Sequence, residues 1–64
     1  MQNHKTTATD RKVLIVDDEA NMRKTLAEIL RDEGYRVTTA ASGEEAVGLC
    51  RTNRFEAILM DVRM

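Results

Sequence analysis

Four consecutive aliphatic residues, Val13 to Val16, form the sequence feature that most restricts the fold of this chain. They do not alternate with polar residues, as in a strand with one solvated face, and they end abruptly at Asp17 and Asp18. An uninterrupted run of this kind is typical of a strand that is covered on both faces inside a parallel sheet. A parallel sheet built around residues 12–16 is therefore the first prediction.

A helix and a second strand are predicted after this run. Apolar side chains recur at helical spacing between residues 20 and 33, where they would form one face of an amphipathic helix. The residues of that face are Met22, Leu26, Ile29 and Leu30. Gly34 follows at the C′ position, where a positive φ angle is usually required. Residues 35–40 are β-prone but more polar than the first strand, which indicates a strand at the edge of the sheet.

A second helix and a third strand complete the pattern. Ser42 and Glu45 have the spacing of a capping box, in which each side chain satisfies a free amide of the helix start. The helix is predicted to run to about Thr52, with Ala46, Val47 and Cys50 on its inner face. Residues 55–60 are then predicted to form a strand that ends at Asp61.

The order β-α-β-α-β predicts an α/β fold with a parallel sheet and helical crossovers. Because crossovers are right-handed and the second strand is polar, the expected strand order is 2-1-3, with the two helices on opposite faces. The third strand is as apolar as the first, yet no segment follows it that could cover its outer edge. A native edge is normally charged, short or interrupted by proline, so we expect a fold cut after its third strand.

Composition excludes several classes of protein. The 64 residues suffice for one small domain or part of one, and a single cysteine rules out a disulfide-stapled secreted scaffold. A net charge of −1 provides no general attraction to nucleic acid, so no direct nucleic-acid binding is expected. The sequence shows no membrane span and no signal peptide, and a cytoplasmic protein is expected. Residues 1–10 are polar and unpatterned and are interpreted as a flexible leader before a domain at 11–64.

Three aspartates are predicted to meet at one edge of the sheet. Asp17 and Asp18 follow the first strand and Asp61 follows the third, and neighbouring parallel strands lie about 4.8 Å apart. Carboxylates in such a cluster repel one another unless a cation compensates them, and an oxygen-only set suits Mg²⁺ or Mn²⁺. The alternatives are that Asp17 and Asp18 cap the first helix and that Asp61 is an ordinary turn residue.

Three segments with these spacings resemble the receiver domains of bacterial response regulators. Residues 13–19, VLIVDDE, are similar to the start of that family. Residues 34–37, GYRV, with residues 40–46, AASGEEA, are similar to its second strand and second helix. Residues 58–64, ILMDVRM, are similar to its phosphorylation segment. The resemblance covers residues 11–64 and implies the amino-terminal half of an incomplete flavodoxin-like receiver fold, truncated after the phosphoacceptor segment.

The resemblance also implies site residues and partners. Asp61 matches the aspartate that accepts a phosphoryl group from a histidine kinase. Asp18 matches the direct Mg²⁺ ligand, Asp17 the neighbour that acts through water, and the backbone carbonyl of Arg63 a further ligand. The expected protein is a signalling module rather than an enzyme, acting on an attached or separate output domain, often one that regulates transcription.

The departures from the family limit this expectation. Receiver domains carry a Ser or Thr after a fourth strand and a Lys after a fifth, and neither position is present here. We therefore expect 64 residues of this kind to be unable to switch alone. The alternative function is a self-associating fragment that completes its sheet through the third strand, as a homodimer or with a missing half. A phosphatase with an Asp nucleophile and a nucleotide-binding half-domain fit less well, because the Asp-x-Asp and glycine-rich sequences they need are absent.

Overall fold

The computed structural model describes residues 11–61 and contains three strands and two helices in the predicted order. The expectations for residues 1–10 and for Arg63 lie outside this range. The elements are β1 (Lys12–Val16), α1 (Ala20–Asp32), β2 (Arg36–Ala40), α2 (Gly43–Thr52) and β3 (Ala57–Met60). The helix expected to end at 33 ends one residue earlier, and the strands expected from 35 and 55 begin at 36 and 57.

The sheet is parallel and has the strand order β2-β1-β3, as predicted. In the central strand, Val13 is aligned with Val37 of β2 and with Ala57 of β3. At the other end, Val16 is aligned with Ala40 and Met60. Because β1 has a partner on each side, all three strands end at the same level, and the residues that follow them share one edge of the sheet.

The core lies around β1, whose last four residues are at most 4% exposed. On one face, Leu14 and Val16 contact Ala46 of α2. On the other face, Ile15 and Leu26 of α1 border a common groove. Since successive side chains of a strand point to opposite faces, the two helices cover opposite faces of the sheet. The apolar run is thus buried on both sides, which is why it tolerates no polar residue.

Helix α1 buries a narrower face than the sequence predicts. Ala27 is buried, and Leu26 and Leu30 are half-buried, but Met22 and Ile29 are 43% and 53% exposed. The helix lies mainly over β2 and β1, so apolar side chains beyond these strands are uncovered. Gly34 has the predicted positive φ of 100° and ends the helix.

Helix α2 has the predicted cap, but its predicted inner face is buried only in part. Ser42 Oγ accepts a hydrogen bond from the backbone N–H of Glu45 at 3.1 Å. The reciprocal bond of a capping box is shifted by one residue, because Glu45 Oε1 accepts from the backbone N–H of Ala41 at 2.9 Å. Ala46, Val47 and Cys50 border the same groove, as predicted for one face, but only Ala46 is buried, and Val47 and Cys50 are exposed.

Strand β3 is an exposed edge strand despite its apolar composition. All four of its residues are exposed, with 47% of Ile58, 42% of Leu59 and 54% of Met60 accessible. The expected uncovered third strand is therefore confirmed for residues 11–61. Within the same residues, neither helix has the length and apolar character needed to cross a membrane.

Candidate metal centre

Two backbone hydrogen bonds fix the ends of the strands that carry the aspartates. The N–H of Asp17 donates to the carbonyl of Ala40, on β2, at 3.1 Å. The N–H of Asp61 donates to the carbonyl of Val16, on β1, at 3.1 Å. Each aspartate therefore continues the ladder by one residue past its strand, and the backbone of both is held by the sheet rather than by a loose loop.

The structure brings the carboxylates of Asp17, Asp18 and Asp61 together. One oxygen from each lies within 4.8 Å of the other two. Asp17 is 5% exposed, Asp61 is half-buried and Asp18 is exposed. The cluster therefore has a buried side against the sheet and an open side toward solvent, where a small ligand has access.

The segment after β1 is shaped by the side chain of Asp17. Its Oδ1 accepts a hydrogen bond from the backbone N–H of Glu19 at 2.9 Å, which turns the chain toward α1. The N-cap residue of α1 is Glu19, whose own side chain makes no capping bond. The alternative that Asp17 and Asp18 cap the first helix is wrong, because the N-cap is Glu19. One oxygen of Asp17 shapes the turn before the helix, and the carboxylate still contributes to the cluster.

Arg23, in the first turns of α1, also contacts this segment. Its Nη1 donates to the backbone carbonyl of Asp17 at 2.7 Å. Arg23 lies outside the apolar face that helical spacing predicts for residues 20–33, so the sequence pattern predicts no role for it. Its position near the N-terminus of the helix, where the helix dipole disfavours a cation, is a weak signal that does not identify the partner.

The donor set fits a hard divalent cation. It consists of carboxylate oxygens, and Mg²⁺ and Mn²⁺ prefer oxygen ligands, with Mg²⁺ retaining several waters. The exposed side at Asp18 leaves room for such waters and for a phosphate oxygen. An open groove of about 290 Å³ between α1 and β3 leads to the cluster and is bordered by Asp17 and Asp61.

The comparison with protein families matches one model. The response regulator receiver domain model aligns with residues 13–64, which include all of the described helices and strands except Lys12, the first residue of β1. The aligned range also contains the three clustered aspartates.

Individual relatives agree with this match. A response regulator receiver protein of Anaeromyxobacter sp. (strain Fw109-5) is 52% identical over 54 residues, which are 84% of this chain and 23% of that protein. The transcriptional regulatory protein PdtaR of Mycobacterium tuberculosis is 47% identical over 58 residues, 89% of this chain and 28% of that protein. The chain thus spans about a quarter of the length of these curated relatives.

A solved structure shares the fold. The chemotaxis response regulator CheY4 of Vibrio cholerae superimposes with a TM-score of 0.82 at 44% sequence identity. The superposition covers 84% of this chain and 45% of that chain. The parallel sheet with order 2-1-3 and its flanking helices therefore occur together in a known response regulator.

Proposed function

Since the chain belongs to the response regulator receiver domain family, we propose that it is a phosphoacceptor module of a two-component signalling system. In this proposal a histidine kinase transfers a phosphoryl group to Asp61, with Mg²⁺ as the cofactor. The observation that carries the proposal is the cluster of three carboxylates at the carboxyl edge of the sheet, of which Asp61 is one. Receiver domains are signalling modules rather than enzymes with a turnover substrate.

Each aspartate has its own role in the proposed transfer. A carboxylate oxygen of Asp61 attacks phosphorus, the P–N bond of the kinase phosphohistidine breaks, and its electron pair returns to the imidazole nitrogen. Asp18 would hold Mg²⁺ directly, Asp17 through water, and the backbone carbonyl of Arg63 would supply another ligand. When bound, the metal neutralises negative charge on the phosphoryl oxygens. The backbone hydrogen bond from Asp61 to Val16 holds the main chain of the acceptor residue against β1.

The proposed partners follow from the same family. They are a histidine kinase and an output domain, attached or separate, and the module itself is proposed to act in the cytoplasm. One relative, PdtaR, is named a transcriptional regulatory protein, so control of transcription through an output domain is the proposed readout. The net charge of −1 favours a module that acts on nucleic acid through that partner rather than by binding it directly.

A polypeptide of these 64 residues is proposed to hold half of a receiver site. The resemblance implies a Ser or Thr and a Lys that contact the phosphoryl group in complete receivers, and neither position occurs in this sequence. Hydrogen bonds to charged groups contribute about 1.5–3 kcal/mol each, so their loss slows phosphorylation and weakens retention of the metal. Such a polypeptide would accept a phosphoryl group poorly and would not switch by itself.

Intact-mass measurement after incubation with acetyl phosphate and Mg²⁺ tests the phosphoacceptor proposal. A small fraction of chains should gain one phosphoryl group, and the gain should disappear in Asp61→Asn. Asp32→Asn, a change at the end of α1 far along the chain from the cluster, is the matched control and should behave like the unsubstituted chain. A gain that persists in Asp61→Asn, or a folded chain that neither binds Mg²⁺ nor gains mass, would contradict the proposal.

A second function, self-association through β3, is supported by the exposure of that strand. Ala57–Met60 contains no charged side chain, and its outer edge has no neighbouring strand in residues 11–61. A second copy is the proposed occupant, because the two-fold related edge presents the same unpaired groups and the low net charge allows two copies to approach. The product would be a six-stranded sheet with antiparallel β3 strands at its centre.

The alternation of side chains restricts the register of that pairing. Opposed residues of two antiparallel strands point to the same face, and a two-fold axis perpendicular to the sheet keeps each residue on its own face. Ile58 can therefore not oppose Leu59 of the second copy, because the two lie on different faces. The two central registers that this symmetry allows place Leu59 opposite Leu59 of the second copy, or Ile58 opposite Ile58.

Cysteine cross-linking distinguishes these arrangements in a Cys50→Ser background. Leu59→Cys or Ile58→Cys should form a disulfide-linked dimer under mild oxidation, and the efficient variant identifies the register. Glu28→Cys, at an exposed position of α1, is the control and should remain monomeric. A strict monomer in sedimentation equilibrium at high concentration would exclude the second copy and favour a missing half as the occupant.

A further inference from the structure

We infer that Arg23 is a positioning residue of the proposed Mg²⁺ site, acting on the peptide bond between Asp17 and Asp18. This inference rests on the proposed function. It is carried by one contact, the hydrogen bond from Arg23 Nη1 to the backbone carbonyl of Asp17 at 2.7 Å. That carbonyl belongs to the peptide that joins the buried aspartate to the exposed one, so holding it orients the start of Asp18.

Two other polar groups of Asp17 are also bonded to the fold. Its N–H is bonded to Ala40 in β2, and its Oδ1 accepts from the N–H of Glu19. The guanidinium at the carbonyl is therefore a third restraint on the same residue. Together these bonds fix Asp17 relative to the sheet, whereas Asp18 is exposed and depends on its peptide bonds for orientation.

Arg23 is itself anchored to the same segment. Its backbone N–H donates to the carbonyl of Glu19 at 3.1 Å, which forms the first turn of α1. The half-buried side chain then reaches back over that turn to Asp17. The result is a closed set of bonds among Asp17, Glu19 and Arg23, in which the guanidinium provides the link from the helix to the strand end.

The charge of Arg23 is explained by the same arrangement. The positive end of the helix dipole disfavours a cation near the start of α1, and the first turn carries no acidic residue. The three carboxylates gathered beside this turn provide the negative potential that offsets this cost. A neutral side chain could still donate a hydrogen bond to the Asp17 carbonyl, but it would not offset the repulsion among the three carboxylates.

Mg²⁺ affinity and the backbone order of Asp18 test the inference. Partners that orient metal ligands typically change affinity by 10–100-fold, so Arg23→Gln should raise the Kd for Mg²⁺ by about 10-fold in titration calorimetry. Arg23→Lys keeps a charged donor and should restore most of the affinity. Lys24→Gln removes the same charge from the next, exposed position and should leave the Kd within about twofold of the unsubstituted value.

A metal-free readout separates positioning from general stability. In the absence of Mg²⁺, the amide of Asp18 should show a lower NMR order parameter in Arg23→Gln, while amides of β1 remain unchanged. If Arg23→Gln and the unsubstituted chain bind Mg²⁺ with the same Kd, the role of Arg23 is overturned and the proposed function is left intact. Failure of the unsubstituted, folded chain to bind Mg²⁺ would overturn the proposed function and, with it, the role assigned to Arg23.

Discussion

Lys12 and Asn53, 41 positions apart in the chain, are joined by a hydrogen bond from Nζ to Oδ1 at 2.9 Å. The Lys12 ammonium also lies 5.6 Å from the centre of the Phe55 ring, within reach of a cation–π interaction. Asn53 Nδ2 donates in turn to the carbonyl of Leu49 at 3.0 Å, in the last turn of α2. One asparagine thus ends α2 and ties it to the beginning of β1.

Asn53→Ala should destabilise the fold by about 1–2 kcal/mol, because it removes three side-chain hydrogen bonds, one of them from a charged donor. Urea unfolding followed by circular dichroism measures the change in the free energy of unfolding. Arg54→Ala alters the next residue, which is exposed, and should have less than half this effect. Equal losses of unfolding free energy in the two variants would show that the side-chain hydrogen bonds of Asn53 do not stabilise the fold.

Replacement of two glycines by alanine should change the stability of the fold in opposite directions. Gly34→Ala places a Cβ at φ 100° and should destabilise the fold by about 1–2 kcal/mol. Gly48 lies inside α2, where an added Cβ meets no atom within 4 Å, so Gly48→Ala should stabilise by about 0.5–1 kcal/mol through its higher helix propensity. Thermal unfolding of the two variants side by side is the measurement, and a loss of stability in Gly48→Ala would contradict the open environment.

Ser42→Ala should cost about 1 kcal/mol, because the N–H of Glu45 loses its acceptor at the start of α2. Ser42→Thr keeps a hydroxyl at the same place and should retain most of the stability. The midpoint of urea unfolding distinguishes the two. If both variants lose the same amount, the hydroxyl of Ser42 is not the group that stabilises the helix start.

Asp18→Asn should move metal affinity and stability in opposite directions. Without metal, loss of one of three neighbouring carboxylates relieves repulsion and should raise stability by up to about 1 kcal/mol. With Mg²⁺ the same change removes a proposed ligand and should raise the Kd more than about 10-fold, which exceeds the effect expected for Arg23→Gln. Glu19→Gln is the control, because its exposed side chain lies outside the cluster. If Asp18→Asn lowers both the Mg²⁺ affinity and the metal-free stability, Asp18 has a structural role.

The strand order was predictable because polarity differs strongly between the strands. The run ending at Val16 needed cover on both faces, and the arginine and threonines of β2 could not lie in the middle of a sheet. The meeting of Asp17 with Asp61 followed from the same order, since parallel strands bring their carboxyl ends to one edge. The features that depend on the order of the strands were therefore predicted correctly from the sequence.

The faces of the helices were less predictable. Val47 and Cys50 have core-like side chains at helical spacing, but they border an open groove next to Ile58 and Met60. Periodicity indicates which residues share a face, whereas burial depends on what lies opposite that face, and β3 has nothing beyond it in the described residues. Arg23 was missed for a related reason, since its partner is a backbone carbonyl that no side-chain pattern reveals.

The register of the sheet has a consequence for the energetics of the whole fold. Asp17 and Asp61 meet because both neighbours of β1 are aligned with it residue by residue, and a slip of one position would turn Asp61 toward the other face. An ion bound by the cluster would thus recognise only the correctly assembled sheet. Folding and ion binding then become one linked equilibrium, in which each tenfold rise in free ion above its Kd adds about 1.4 kcal/mol to the native state.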